Sequence, residues 1–439
     1  MKDKRNLLAM QPTEVILFSP KFYVKLYSIT AFLFFSIFLS SCSKEDVTTS
    51  KTTTTTSTTT TSSKTYYYQN GGTATLSGKV YYSTKSDTSA VEVTGGGTLT
   101  LSNSRIRSSA NTSSTDSSSF YGLNAAVLAT GGSTITLTND SITTTGLSAN
   151  GVYSYGTSTV NMSGDTIKCT ANGAHGIYAA GGGTMTATNV IATTAGGSSS
   201  VIATDRGGGT ITVTGGSYTA GGSNSAAIYS TGVITCSNTT LTATGAEALV
   251  IEGANYITLN NCTVKSTYNK WGSLIYQSMS GDASGTDGYL VMTGGSFTYT
   301  GTAGGMFYNT NSTANITLSG VALTNSCDTL VRCIKGSWGG ATATSGGITN
   351  LTTSGQTMSG LIYVDANSTF SLTLKSSSAY TGRINTDNVA EKTSVTMDST
   401  STWILTGNTY LTSLTDGNTT YSNITPGNYH LYVNNIKVL

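Results

Sequence analysis

Asp140 and Asp165 are the carboxylates whose placement could do chemistry. They stand 25 residues apart, and each follows an Asn or Gly and precedes a Ser/Thr–Ile pair. Stacked on neighbouring windings of a chain, two such groups would lie roughly 5 Å apart. That is close enough to share a calcium ion or to divide acid and base work. A position directly after a turn residue calls for a solvated side chain, so the pair is expected to be no catalytic centre. The two histidines, His175 and His430, are isolated. His175 precedes a Gly-Ile-Tyr segment and is expected at a turn or on the surface. No Ser/His/Asp arrangement can be assembled from the spacing, and no CxxC or His cluster suggests zinc. The expectation is therefore a non-enzymatic protein with neither cofactor nor metal. Of the remaining cysteines, Cys236 falls in an apolar column and reads as a core thiol. Cys327 and Cys333 are near enough in sequence for a local disulfide, a pairing the sequence leaves open. The Gly triplets at 95–97, 181–183 and 207–209 precede strands rather than helices, so they are turns and not phosphate cradles.

One aromatic series is a candidate for recognition. Tyr153, Tyr178, Tyr229, Tyr276, Tyr308 and Tyr363 each follow an apolar residue in a short Gly/Ala/Leu-Ile/Val-Tyr-like segment, with Leu128, Ile202 and Ile251 in the same column elsewhere. If the preceding residue points inward, this column points outward and forms a candidate ligand-contact ladder, its flat rings suited to sugar faces. Thr-x-Thr pairs such as Thr134/Thr136 and Thr210/Thr212 would make a regular outward array of the kind an ice-binding surface needs. Asn161, Val233 and Tyr256 interrupt it, and Thr is in any case a favoured outward strand residue.

These side chains are positioned by a repeat. Segments beginning at Ala74, Leu99, Ile135, Val160, Met185, Ile211, Ile234, Ile257, Leu290 and Ile316 share a pattern. Four residues on, each has Gly or Asn: Gly78, Asn103, Asn139, Gly164, Asn189, Gly215, Asn238, Asn261, Gly294 and Gly320. Those two residue types enter the left-handed region most cheaply, so one turn of fixed shape recurs per copy. The first and third positions are apolar and the second is polar, which reads as a strand with one buried face. A further inward position, as at Ile106, Ile142, Ile167 and Tyr218, lies beyond the turn and starts a second strand; the Tyr segments mark a third. Three strands and three turns in about 25 residues describe one coil of a parallel β-helix, with about 13 coils in all. No stretch shows helical periodicity. The spacing stretches at 108–123 and near 266–287, and solenoids place such insertions on one face, often the binding face. The pattern lapses after Leu323 and is expected to resume at Trp403-Ile404-Leu405-Thr406-Gly407, with Tyr410 in the inward column of closing coils.

The start of the chain is of another kind. Lys21 and Lys25 precede an apolar run from Ile29 to Leu39 that is too short to span a bilayer securely. Leu39-Ser40-Ser41-Cys42 resembles the lipobox of bacterial lipoproteins, which implies cleavage before Cys42 and acylation of its thiol, palmitate included. Ser43-Lys44-Glu45-Asp46 resembles the Lys/acidic cluster that sends lipoproteins of some Gram-negative lineages to the outer face of the outer membrane. The Thr/Ser run that follows has nothing to bury and reads as a disordered tether. Loss of residues 1–41 removes five Lys/Arg and two acids and leaves 17 basic and 18 acidic residues. No basic stripe is present, which argues against nucleic acid as a partner. The expected organisation is a signal peptide over 1–41, a lipidated Cys42 and tether over 42–65, a β-helix over 66–402, and closing coils with a cap over 403–439.

From Gly71 onward the chain resembles the right-handed parallel β-helix, pectin-lyase-like superfamily. The resemblance rests on segments such as 131–139, Gly-Gly-Ser-Thr-Ile-Thr-Leu-Thr-Asn, and on Trp403-Ile404-Leu405-Thr406-Gly407-Asn408-Thr409-Tyr410-Leu411. More narrowly, it is similar to adhesin-like autotransporter passenger domains, the lipid on Cys42 taking the place of a membrane-barrel anchor. The resemblance implies an adhesin or surface structural protein whose partners are membrane lipid and host or bacterial glycans or matrix proteins. A glycan-binding or polysaccharide-degrading protein is the alternative. The enzymes of the superfamily are a poor match: polygalacturonase-like motifs are represented by Asn385-Thr386-Asp387 alone, with Ala174-His175-Gly176 upstream in the wrong order. Asp140-Ser141-Ile142, Asp165-Thr166-Ile167, Asp328-Thr329-Leu330 and Asp398-Ser399-Thr400 resemble a bacterial periplasmic O-glycosylation motif, making Ser141, Thr166, Thr329 and Ser399 candidate acceptors.

Overall fold

The computed structural model describes residues 66–338 and 346–439. Cys42, Lys44, Glu45 and Asp46 lie outside them. The described chain winds into a parallel β-solenoid whose strands stack in three sheets of 15, 14 and 10 strands, here called A, B and C. Sheet B holds the repeat segments, from Thr73–Ser77 to Ser413–Asp416; its 14 strands give about 14 turns. Each turn runs from B through the Gly/Asn corner to C, then to A, and back to B.

The Gly/Asn corner forms as its residue types require. All ten positions from Gly78 to Gly320 have positive φ, the five glycines and asparagines from Asn103 to Gly215 among them spanning 50° to 69°. The corners stack, because the Asn103 N–H donates to Thr138 O and the Asn139 N–H to Ser163 O. Register follows: Leu99, Ile135, Val160, Met185, Ile211 and Ile234 pair rung over rung and are all buried. Each fully buried aliphatic side chain in this ladder contributes about 1.5–3 kcal/mol.

Among the described residues two insertions leave the regular path. Residues 109–126 join Arg105–Ser108 of sheet C to Val127–Ala129 of sheet A and carry a helix, α1 (Thr115–Tyr121). Ser114 caps it by accepting the Ser117 N–H at 3.1 Å, and Gly122, at φ 77°, ends it. This helix has no counterpart in the periodicity, since seven residues are too few to show one. The second insertion, 277–286, leads from Trp271–Tyr276 of sheet A to Asp287–Thr293 of sheet B.

Sheet C stops at Ala322–Asn325. From there the corner at Gly355 (φ 56°) leads directly into an eight-residue strand, Thr357–Val364, in sheet A. Gly360 sits in its middle with φ 123°, and a Cβ there would meet Asp328 O at 2.7 Å. Each later turn therefore has two strands instead of three, which is why the pattern lapses. The shortened turn also shifts its phase. Thr402–Leu405 lies in sheet A, where Trp403 pairs with Tyr380 and Ile424, and no left-handed turn forms at Gly407. Tyr410 belongs to a small sheet of Thr409–Leu411, Leu431–Val433 and Ile436–Lys437 at the end of the solenoid, stacked on Tyr432 with ring centroids 4.7 Å apart.

Candidate functional site on the outer face of sheet A

Both insertions flank sheet A, and they close over its outward side chains. In register, that column reads Leu128, Tyr153, Tyr178, Ala203, Tyr229, Val250, Leu274, Tyr308, Arg332 and Tyr363. Three assignments from the sequence are corrected. Ile202 and Ile251 point into the core, with Ala203 and Val250 outside in their place. Tyr276 stands two residues beyond Leu274, in register with Glu252.

The ladder faces outward but is not open along its length. Tyr153, Tyr178 and Tyr308 are buried, while Tyr229, Tyr276 and Tyr363 are half-buried. Helix α1 covers the first part, and the Tyr153 hydroxyl donates to the Ser119 carbonyl. The rings of Tyr153 and Tyr178 lie 4.9 Å apart, and His175 packs on Tyr178 at 4.4 Å. The His175 ring is half-buried against Tyr178 at the wall of the trough. Burial brings its pKa down to about 4, so the imidazole is neutral at neutral pH.

Further along, the phenols meet carboxylates. The Tyr178 hydroxyl donates to Asp205, whose other oxygen accepts the Arg206 N–H at 2.7 Å. Burial raises the Asp205 carboxyl to about 6; the two donors oppose this, and the charges of Asp282 and Glu252 add to it. Glu252 accepts from the hydroxyls of Tyr229, Tyr276 (2.9 Å) and Ser278. Arg206 ties the two insertions together. Its guanidinium lies 3.9 Å over the Phe120 ring from α1 and pairs with Asp282 of the second insertion at 2.8 Å.

Between these walls is a trough of about 640 Å³, lined by Phe120, Asn172, His175, Asp205, Asn224 and Asp282 among others. Its size lies within the usual range for ligand sites. Fixed aromatic faces beside an array of donors and acceptors suit a polyhydroxylated ligand. The sequence offered one signal for the carboxylates. Asp205 and Glu252 occupy the slot where a strand of sheet A ends before a Gly-containing turn, a slot held elsewhere by Thr94, Thr130 and Tyr155. Phe120, Arg206 and Asp282 carry no such signal.

The other candidate residues lie elsewhere. Asp140 and Asp165 do stack, but they are buried, not solvated. Asp140 accepts the N–H groups of Ser104 (2.7 Å) and Thr138 (3.1 Å); Asp165 accepts those of Asp140 (2.7 Å) and Ser163 (3.1 Å). Each carboxylate thus ties its own corner to the turn below. Burial raises Asp165 to about 7, against the two N–H bonds and with the charge of Asp140. Ser141, Thr166 and Ser399 are exposed, whereas Thr329 is buried in sheet A. All five described cysteines are free thiols, Cys327 and Cys333 included, and Cys236 is in the core. Among the described residues no three His, Cys, Asp or Glu side chains gather as a metal site, and no helix is long and apolar enough to cross a membrane. Comparison with protein-family models, curated proteins and solved structures returned no match for this chain.

Proposed function

We propose that this is a lipid-anchored, non-enzymatic protein of the bacterial cell surface that binds a glycan, as an adhesin does, in the trough over sheet A. The observation that carries the binding reading is the convergence of both insertions on one face, where they enclose Tyr178, Tyr229, Asp205 and Asp282. Solenoids present ligands on the face that carries their insertions. Aromatic rings with a few oriented polar groups are the usual lining of a ligand site.

Binding rather than turnover is supported by the state of the acids. Asp205, Glu252 and Asp282 each already accept from phenol, hydroxyl, amide or guanidinium donors, which hold them in place as part of the wall. Anchoring is supported by Leu39-Ser40-Ser41-Cys42 after a short apolar run, and surface display by Lys44, Glu45 and Asp46.

The binding test is a glycan and matrix-protein array probed with the chain from Lys64 onward, beside a Tyr229→Ser variant. Glycan signals that the variant loses are expected; an array with no signal, or one indifferent to Tyr229, would refute the reading. The anchoring test is palmitate labelling, which Cys42→Ser should abolish. A second reading, polysaccharide cleavage, is favoured by one observation, the raised carboxyl of Asp205 beside two further acids. New reducing ends or unsaturated products from a bound glycan, lost in Asp205→Asn, would establish it.

A further inference from the structure

The trough continues beyond Tyr229. Ser200, Asn224 and Tyr229 line it and also line a second cavity of about 320 Å³ along the same face. The walls of the second cavity are different: Tyr268, Trp271, Tyr276 and Trp338 surround Glu247 and Lys270. The rings are fixed before any ligand arrives. Trp271 is stacked on Tyr308 at 3.9 Å with an interplanar angle of 5°, and Lys270 Nζ lies 4.0 Å from the Trp271 ring. Tyr276 is held by its hydrogen bond to Glu252, and Trp338 leans on it at 5.1 Å and 58°. A ligand stacking here meets surfaces already ordered, which lowers the entropic cost of binding.

Acids outnumber bases across the two cavities. Asp116, Asp205 and Asp282 line the first, Glu247 the second, and Glu252 lies just beneath their junction. Two cations line them or bridge their walls. Arg206 is paired with Asp282 and laid on Phe120, and Lys270 sits on Trp271. Lys270 is the one Lys or Arg among the described lining residues, so a carboxylate or sulfate on a ligand meets mostly like charge.

The geometry points to an uncharged glycan chain long enough to occupy both cavities, its hydroxyls in the carboxylate trough and one pyranose face on the rings around Trp338. This rests on the glycan reading and narrows it: uronate-rich and sulfated chains are disfavoured by charge, and short oligosaccharides fill only half of the site.

The experiment is titration of the chain from Lys64 onward with linear neutral disaccharides and hexasaccharides of glucan, mannan and xylan type, and with a hexagalacturonate. A neutral hexasaccharide should bind at least about tenfold more tightly than its disaccharide. Trp338→Ala should weaken the hexasaccharide by about tenfold, the order of an aromatic contact, and leave the disaccharide unchanged. Hexagalacturonate should bind more weakly than the neutral hexamer, by a factor that shrinks as salt is raised. Glu247→Gln, which removes one acid from the second cavity, should narrow that gap. Equal binding of charged and neutral hexamers, or a Trp338→Ala loss shared by both lengths, would overturn the inference and leave glycan binding standing. Absence of any glycan binder overturns the reading beneath it as well.

Discussion

Replacing Asp140 by Ala should loosen one corner of the solenoid and leave the rest intact. The Asp140 carboxylate satisfies two backbone donors, the Ser104 N–H in the turn below at 2.7 Å and the Thr138 N–H in its own turn at 3.1 Å. A buried donor left without a partner costs about 1–3 kcal/mol. Against the loss of two stands relief from burying the carboxyl, whose pKa burial already raises. A net local cost of about 2–4 kcal/mol follows. Global unfolding is a poor readout, because a solenoid is bound turn to neighbouring turn and need not melt as one unit. Amide hydrogen exchange reads the corner itself. At ~1.4 kcal/mol per factor of ten, protection of the Ser104 and Thr138 amides should fall roughly 30- to 700-fold. Asp140→Ser should recover the Ser104 bond, since Ser104 itself holds the Lys79 N–H at 3.0 Å through Oγ, and should cost about half as much. Asp165→Ala should expose Asp140 and Ser163 amides and spare Ser104. Unchanged protection at Ser104 and Thr138 in Asp140→Ala would refute the assignment of Asp140 as a backbone tie.

Other outcomes can be checked with simpler measurements. Gly164→Ala should lower amide protection at its own corner, because φ is +69° there and a Cβ would sit 2.4 Å from Asn139 Oδ1; Asn139→Gly, which keeps the corner's geometry accessible, should be tolerated. Asp165 and Asp205 are raised in the folded state to about 7 and about 6, so folding takes up protons and their contribution, full below about pH 4, is lost as pH rises toward 7. His175, lowered to about 4, acts in the opposite sense, losing stability as pH falls below about 6.5, so the sign is read by difference: Asp165→Asn should be destabilised less than the parent by a shift from pH 4.5 to 7.5. With a thiol reagent, Cys327 should react in the native protein while Cys169, Cys236, Cys262 and Cys333 wait for unfolding, since those four are buried and burial pushes Cys169 and Cys333 up to about 12. Rapid labelling of Cys236 would contradict the core packing.

The parts of the fold that are local in sequence are the parts that could be read from it. Asn103, Asn139 and Asn189 announce their corners because only a left-handed residue fits there, and the alternation around them names the buried face of sheet B. Sheet A is harder. Val127–Ala129, Ile177–Ala180 and Leu249–Glu252 are buried on both sides, inward by the core and outward by the insertions, so no alternation distinguishes Ile202 from Ala203. That double covering also buries Tyr153 and Tyr178, whose exposure the sequence left open. The trough was out of reach for a different reason. Phe120, Arg206 and Asp282 meet across 162 residues through two irregular insertions, and no periodicity connects them. Asp140 and Asp165 could be paired by column, but their burial depended on backbone N–H groups that only the stacked corner supplies.

The unequal ends of the solenoid decide how it would bear tension. Tyr67, Ala74, Leu76 and Tyr81 of the opening turn are only partly buried, while the far end is plugged by the three-stranded sheet around Tyr410 and Tyr432. Strands pair only with the rung before and the rung after, so a pull on Tyr66 would peel rungs off singly, the opening one first. A load between Tyr66 and anything gripped beside α1 would pass through those opening rungs alone. The windings beyond the second insertion would carry no strain.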